Sequence, residues 1–255
     1  VPWTTEDVTT GGVRQRGFHL QVDGRLVPGL LWSPPEGGSA PVALVALGHG
    51  ASNDKRQDVV LSMARRLVRH HAMAAVAIDG PVHGERRTGS HEDPRLPFLE
   101  FGQHWALAGD AMTDAMVADW QATMDWVQSL AEIGSVPVGW WGVSMGTILG
   151  LPVVAAEPRI RACVLGLMGL TGPTRKRIDA DARRLTCPVL FLVQWDDELF
   201  PRDDAFALFE LFGSPDKRLH AHPGRHGQLP AEALDASEAF LARALHQGSR
   251  ALHQG

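Results

Sequence analysis

The chain has 255 residues, 44% of them hydrophobic and 21% charged, with a formal net charge of −5. That is enough apolar sequence for one substantial core, and no basic excess marks a nucleic-acid binder. No window approaches the roughly 18 consecutive apolar residues of a membrane span, and the absence of Tyr removes it as an acid, base or oxyanion donor.

The first stretch, "VPWTTEDVTT", is polar and lacks signal-peptide character, so a cytoplasmic protein is expected; because the sequence starts at Val1, a removed leader stays open. Two short strands follow at 16–22 and 25–32, joined by the turn pair Asp23-Gly24. After the Pro/Gly loop "SPPEGGSAP", the run "VALVALGHG" reads as a strand buried on both faces. Residues 54–70 have helical spacing, with Val59, Val60, Met63, Ala64 and Leu67 on one stripe. A second buried strand is expected over 72–80. Residues 82–109 show no clear period, and 110–131 form a long amphipathic helix with Met112, Met116, Trp120, Met124 and Val127 on one side. Beyond the apolar run "VPVGWWGVS" the pattern predicts a helix over 145–156, strands over 160–167 and 188–194, a helix over 203–212, a strand over 217–222 and a helix over 230–246. Residues 247–255, with the repeated "ALHQG", read as a tail.

Strands alternating with helices imply an α/β fold: a doubly wound, mostly parallel sheet of about eight strands. No linker divides two cores, so residues 1–255 read as one domain. Cys163 and Cys187 sit in apolar runs outside any metal-ligand spacing and read as free, buried thiols. His49 is not spaced from other His residues as a metal ligand would be. No metal or organic cofactor is expected.

Gly142-Val143-Ser144-Met145-Gly146 lies between a buried strand and a helix, where a Gly-x-Ser-x-Gly elbow exposes a nucleophile. A Ser hydroxyl needs a base, an orienting acid and an oxyanion site. The segment "HAHPGRHGQLP" offers His220, His222 and His226; His226, between Gly224 and Gly227, has the loop placement a shuttling imidazole requires. The acid must come from Asp196-Asp197-Glu198, since no Asp or Glu occurs from Arg159 through Ile178. Oxyanion donors are expected at the N–H groups of Met145 and Ala51.

Four segments, "GHGAS" (48–52), "DGPVHGER" (79–86), "GVSMG" (142–146) and "DELFP…GRHG" (197–201 and 224–227), give the chain a resemblance to the α/β-hydrolase superfamily. It is most similar to compact serine esterases related to dienelactone hydrolases and to acyl-peptide-hydrolase-like catalytic domains. The resemblance implies Asp197 as the acid, four residues before Pro201, and loop-bracing roles for Asp79 and His83. It departs from the pattern in carrying Ser144 where dienelactone hydrolases have Cys, in placing Gln194 where Gly is usual, and in having no large cap domain.

The expected function is cleavage of carboxylic esters, small-molecule substrates with short to medium acyl chains, through an acyl-enzyme. Another acyl hydrolase on the same residues (peptidase, thioesterase, lactonase or perhydrolase-like) and a catalytically silent binding protein are the alternatives. Segment 82–109 is a candidate short lid or pocket wall. Its Phe98, Phe101 and Trp105 either line the acyl pocket or pack onto the helix 110–131.

Overall fold

The computed structural model describes residues 2–89, 93 and 95–252, with side chains described as far as residue 246. Residues 90–92 and 94 of the candidate lid, and 253–255 of the expected tail, lie outside the described residues. Strand β1 spans Trp3–Thr10, β2 Val13–Val22, β3 Arg25–Ser33, β4 Leu44–Gly48, β5 Ala74–Ile78, β6 Val138–Gly142, β7 Ile160–Gly166, β8 Val189–Gln194 and β9 Lys217–His222. The helices are α1 Asp58–His71, α2 Leu96–Ser129, α3 Met145–Ile148, α4 Gly150–Ala156, α5 Arg175–Arg184, α6 Arg202–Leu211 and α7 Ala231–Leu252.

The described strands form one sheet in the order β1-β2-β3-β5-β4-β6-β7-β8-β9. Pairing is antiparallel from β1 to β5 and parallel from β5 through β4 to β9. Because β4 has β5 on one side and β6 on the other, the chain reverses its winding there. Such a switch point opens a crevice at the carboxyl ends of the strands. Gly48, Ile78 and Gly142 end their strands at that edge.

The central strands are buried throughout, as their unbroken apolarity requires. Their side chains alternate between two cores. Leu44 and Ala46 face the layer of α2, α4, α5 and α6, with Met116, Trp120 and Met124, whereas Val45 and Leu47 face α1 and α7, with Met63, Leu67 and Leu241.

Three differences from the sequence-based expectation have physical causes. β1 is a ninth strand drawn from the polar N-terminal stretch. It is an edge strand, held by its ladder to β2, by Arg14–Asp7 and Gln15–Glu6 pairs, and by Trp3 against Trp126. α2 begins fourteen residues before the expected helix and kinks at Gly109 (φ 48°, ψ −121°), a conformation suited to Gly that also breaks the apolar period. α5 carries Arg or Asp at most positions and anchors through Ile178 and Ala182 alone among its apolar residues, too few for a visible stripe.

Candidate active site

Ser144 stands one residue beyond β6, after Val143, at the N-cap of α3 with φ 58° and ψ −122°. A non-Gly residue there costs roughly 1–3 kcal/mol and persists because its surroundings enforce it. The flanking glycines make the turn possible: a Cβ on Gly142 would stand 2.6 Å from the Gly146 carbonyl oxygen, and one on Gly146 2.5 Å from that of Gly48. The Ser144 N–H donates to the Gly166 carbonyl (2.9 Å), tying the elbow to the end of β7. Thr147 reinforces this tie, its buried hydroxyl accepting the Gly166 N–H at 2.8 Å and lying 2.7 Å from the Gly166 carbonyl oxygen.

The elbow is joined to two loops at the same sheet edge. His226 Nε2 lies 2.9 Å from Ser144 Oγ, and His226 Nδ1 lies 2.8 Å from Asp197 Oδ2. The Asp197 side chain is 3% exposed and that of His226 14%. The other Asp197 oxygen accepts the N–H groups of Leu199 (2.8 Å) and Phe200 (2.9 Å). Burial pushes the Asp197 carboxyl up, but the His226 hydrogen bond and these N–H donors outweigh it and hold it below the ordinary carboxylate value. A carboxylate on Nδ1 fixes the tautomer in which Nε2 can accept the Ser144 proton. His220 and His222, on β9, make no such contact with Ser144.

Ala51 lies in the loop between β4 and α1, and the side chains of Gln57 and His49 hold the residue before it. Gln57 Oε1 accepts the Gly50 N–H (2.8 Å), His49 Nδ1 donates to the Gly50 carbonyl (2.8 Å), and His49 Nε2 accepts the Gly80 N–H (2.8 Å). These two bonds require a neutral His49. Burial, then the neighbouring His83, pushes its pKa down to about 3. The His83 ring spans the Ala51 carbonyl (2.9 Å) and the Pro81 carbonyl (2.6 Å). Asp79 accepts the backbone N–H groups of Lys55 and Glu85 and the Lys55 ammonium, bracing both loops. Among the described residues, the N–H of Ala51 and that of Met145, first residue of α3, have no protein acceptor.

No family model matches the chain, and no curated protein does. Among solved structures, a PEG-bound complex of a cold-adapted esterase from an Arctic intertidal metagenomic library is 40% identical, with a TM-score of 0.84 over 96% of this chain and 100% of that one. The chain belongs to the serine esterases of the α/β-hydrolase superfamily. This esterase shares the fold alone with an acetyl xylan esterase from Paenibacillus sp. R4, 17% identical with a TM-score of 0.72 over 95% of this chain and 89% of that one. The same holds for a dienelactone hydrolase from Anabaena variabilis, 16% identical with a TM-score of 0.66 over 92% and 98%.

Beside Ser144 and His226 the esterase has a cavity of about 240 Å³, walled by Gly50, Ala51, Ser52, Gln57, Phe98, Leu167, Leu199 and Leu229 among others. Of the three aromatic residues expected as its wall, only Phe98 lines it. Phe101 is 3% exposed and stacks on Trp105 (5.9 Å between ring centroids), and Trp105 donates to Thr174 Oγ1 at 3.0 Å. Both belong to the packing that seats α2: they share a helical face with Phe98 but lie one and two turns further along, where that face meets the core. No large cap intervenes between β7 and β8 among the described residues; α5 fills that connection. No described helix is long and apolar enough to cross a membrane, and no described His, Cys, Asp and Glu residues cluster as a metal site.

The loops bearing Asp197 and His226 are joined by more than the Asp-His contact. Trp195 N–H donates to His222 O (2.8 Å) and Asp196 N–H to Gly224 O (3.0 Å). Glu198, one of the three acids offered for the orienting role, instead accepts the His226 backbone N–H at 3.0 Å. Gln194, at the position where Gly is usual, is 1% exposed and donates from Nε2 to the carbonyls of Gln228 (2.5 Å) and Arg225 (3.4 Å). The contacts of Gln57, Thr147 and Glu198 had no sequence signal, since each is made to a backbone group, and such groups are alike at every position. Gln194 had one, its departure from the family pattern.

Proposed function

We propose that this carboxylic ester hydrolase works through an acyl-enzyme on Ser144, with His226 as general base and Asp197 as its orienting acid. The observation that carries this reading is the continuous chain from Asp197 Oδ2 through both His226 nitrogens to Ser144 Oγ, at 2.8 and 2.9 Å. His226 takes the Ser144 proton as Oγ attacks the ester carbonyl. Asp197 stabilises the imidazolium, and the free N–H groups of Ala51 and Met145 receive the oxyanion. His226 then protonates the departing alkoxide, and water repeats the steps to release the acid. The balance of charge within the site is kept at every stage, since the proton moves from Ser144 to His226 to the alcohol.

The substrate in this reading is a small ester with a short to medium acyl chain. A cavity of about 240 Å³ with Phe98, Leu199 and Leu229 in its wall supports it, because each methylene gains about 0.8 kcal/mol only while it finds apolar wall to cover it. We read the chain as one catalytic domain, supported by the single sheet that carries every strand described. A cytoplasmic location fits two thiols left unbridged, and the net charge of −5 argues for no nucleic-acid partner. Labelling by a fluorophosphonate probe, lost in Ser144→Ala, tests the nucleophile. A panel of esters graded by acyl length, set beside peptide and thioester substrates, tests the substrate class; preference for long-chain esters or for peptides would overturn that part.

A further inference from the structure

The end of the sheet where the parallel strands begin is opposite the edge that carries Ser144. There a second cavity, of about 640 Å³, opens between the end of α4, the turn into β7 and the residues leading into β8. Cys187 is part of its wall and is half-buried, whereas Cys163, on β7, is fully buried in the core behind it. The two sulfurs stand 4.0 Å apart. Strand pairing holds them there: the Cys163 N–H donates to the carbonyl of Pro188, the residue after Cys187, at 3.0 Å.

The cavity is lined by Arg161 and Arg184, the latter paired with Asp181 at 3.2 Å, and by Glu157, which accepts two hydrogen bonds from the Arg159 guanidinium. The Cys163 thiol holds the Cys187 thiol below its ordinary value, while burial pushes the Cys163 thiol up. The accessible sulfur therefore ionises first and the enclosed one keeps its proton. An accessible thiolate with a second thiol in reach is the arrangement found at reversible oxidation sites.

We propose that Cys187 and Cys163 form an oxidation site, in which a hydroperoxide entering the cavity at the base of β7 and β8 converts the pair to a disulfide. The Cys187 thiolate attacks the terminal peroxide oxygen. The O–O bond breaks and leaves as alkoxide, or hydroxide from hydrogen peroxide, while Cys187 becomes a sulfenic acid. The Cys163 sulfur then attacks the Cys187 sulfur. The S–O bond breaks, and the hydroxyl leaves with the Cys163 proton as water. Two thiols are oxidised by two electrons and one peroxide is reduced. The sulfurs must close from 4.0 Å to about 2.05 Å. Both lie outside the catalytic residues, so the site does not rest on the reading of the esterase mechanism.

The full chain is treated with hydrogen peroxide at neutral pH, its thiols are counted after denaturation, and its unreduced peptides are mapped. Both thiols should disappear together, with an intact mass lower by two hydrogens and a peptide linking Cys163 to Cys187, all reversed by dithiothreitol. Cys163→Ser should stop at a sulfenic acid on Cys187 that dimedone traps. Cys187→Ser should leave Cys163 unreacted, because its side chain is fully buried behind Cys187. Ester hydrolysis at the wild-type rate reports that each variant is folded, and Cys163→Ala and Cys187→Ala serve where a Ser variant is not. Two intact thiols after treatment would overturn the proposal. So would sulfinic acid on Cys187 beside a free Cys163, or a disulfide between two copies of the chain.

Discussion

His49 couples the stability of this esterase to pH, and the size of the effect follows from its surroundings. In the folded chain it is fully buried, donates to the Gly50 carbonyl, accepts from Gly80, and has its pKa pushed down from 6.5 to about 3. In the unfolded chain it titrates near its ordinary value. Below about pH 6.5 the unfolded state binds a proton that the folded state refuses, so stability is full above that pH and falls as the medium is acidified, until the folded group itself titrates. The slope is about 1.36 kcal/mol per pH unit, so about 2 kcal/mol is lost on going to pH 5. His49→Gln keeps one donor and one acceptor but cannot titrate. Denaturant unfolding of both proteins, followed by Trp fluorescence from pH 7 to 5, should show the wild type losing about 2 kcal/mol more than the variant over that range. Parallel pH profiles for the two would refute a neutral, buried His49. Hydrolysis should report the same residue differently: a loosened Gly50–Ala51 peptide lowers kcat by up to about 10²-fold, with KM changed far less.

Other perturbations have equally definite outcomes. Ser144→Ala and His226→Ala should each lower kcat by about 10³-fold or more in an ester assay, because the three residues act as a unit; full activity in either would remove the mechanism. Asp197→Asn should cost up to about 10⁴-fold by favouring the wrong imidazole tautomer, while Asp196→Asn should cost little, its backbone N–H rather than its carboxylate holding Gly224. Phe98→Ala should move the preferred acyl length, read as kcat/KM across a graded ester series. Phe101→Ala should leave that preference in place and cost about 3–5 kcal/mol of stability by emptying a core position. Gln194→Gly removes both donors to the His226 loop, and kcat should fall with KM little altered, whereas a variant equal to wild type would make Gln194 a packing residue only.

The Ser144 elbow was legible in the sequence because its cause is local: a buried strand, two glycines that admit a tight turn, and a following helix. The central strands were legible for a similar reason, since burial on both faces forces an unbroken apolar run such as "VALVALGHG". The positions of Asp197 and His226 could be read because they follow strands that end at one sheet edge, although the choice of Asp197 over its neighbours came from family resemblance. Their 2.8 Å contact is decided only in three dimensions, across 29 residues of chain. The same holds for β1, whose polar residues pair at an open edge and show no apolar signal, and for α5, seated by Ile178 and Ala182. The hydrogen bonds that tie Gln194 and Glu198 to loop backbone depend on strands distant in sequence, and the one between Gln57 and Gly50 on the course of a single loop; backbone atoms are alike at every position in a sequence. Which of Phe98, Phe101 and Trp105 meets the cavity was likewise left to the kinked course of α2, because all three residues are apolar and their spacing along the chain suits either a pocket wall or a core.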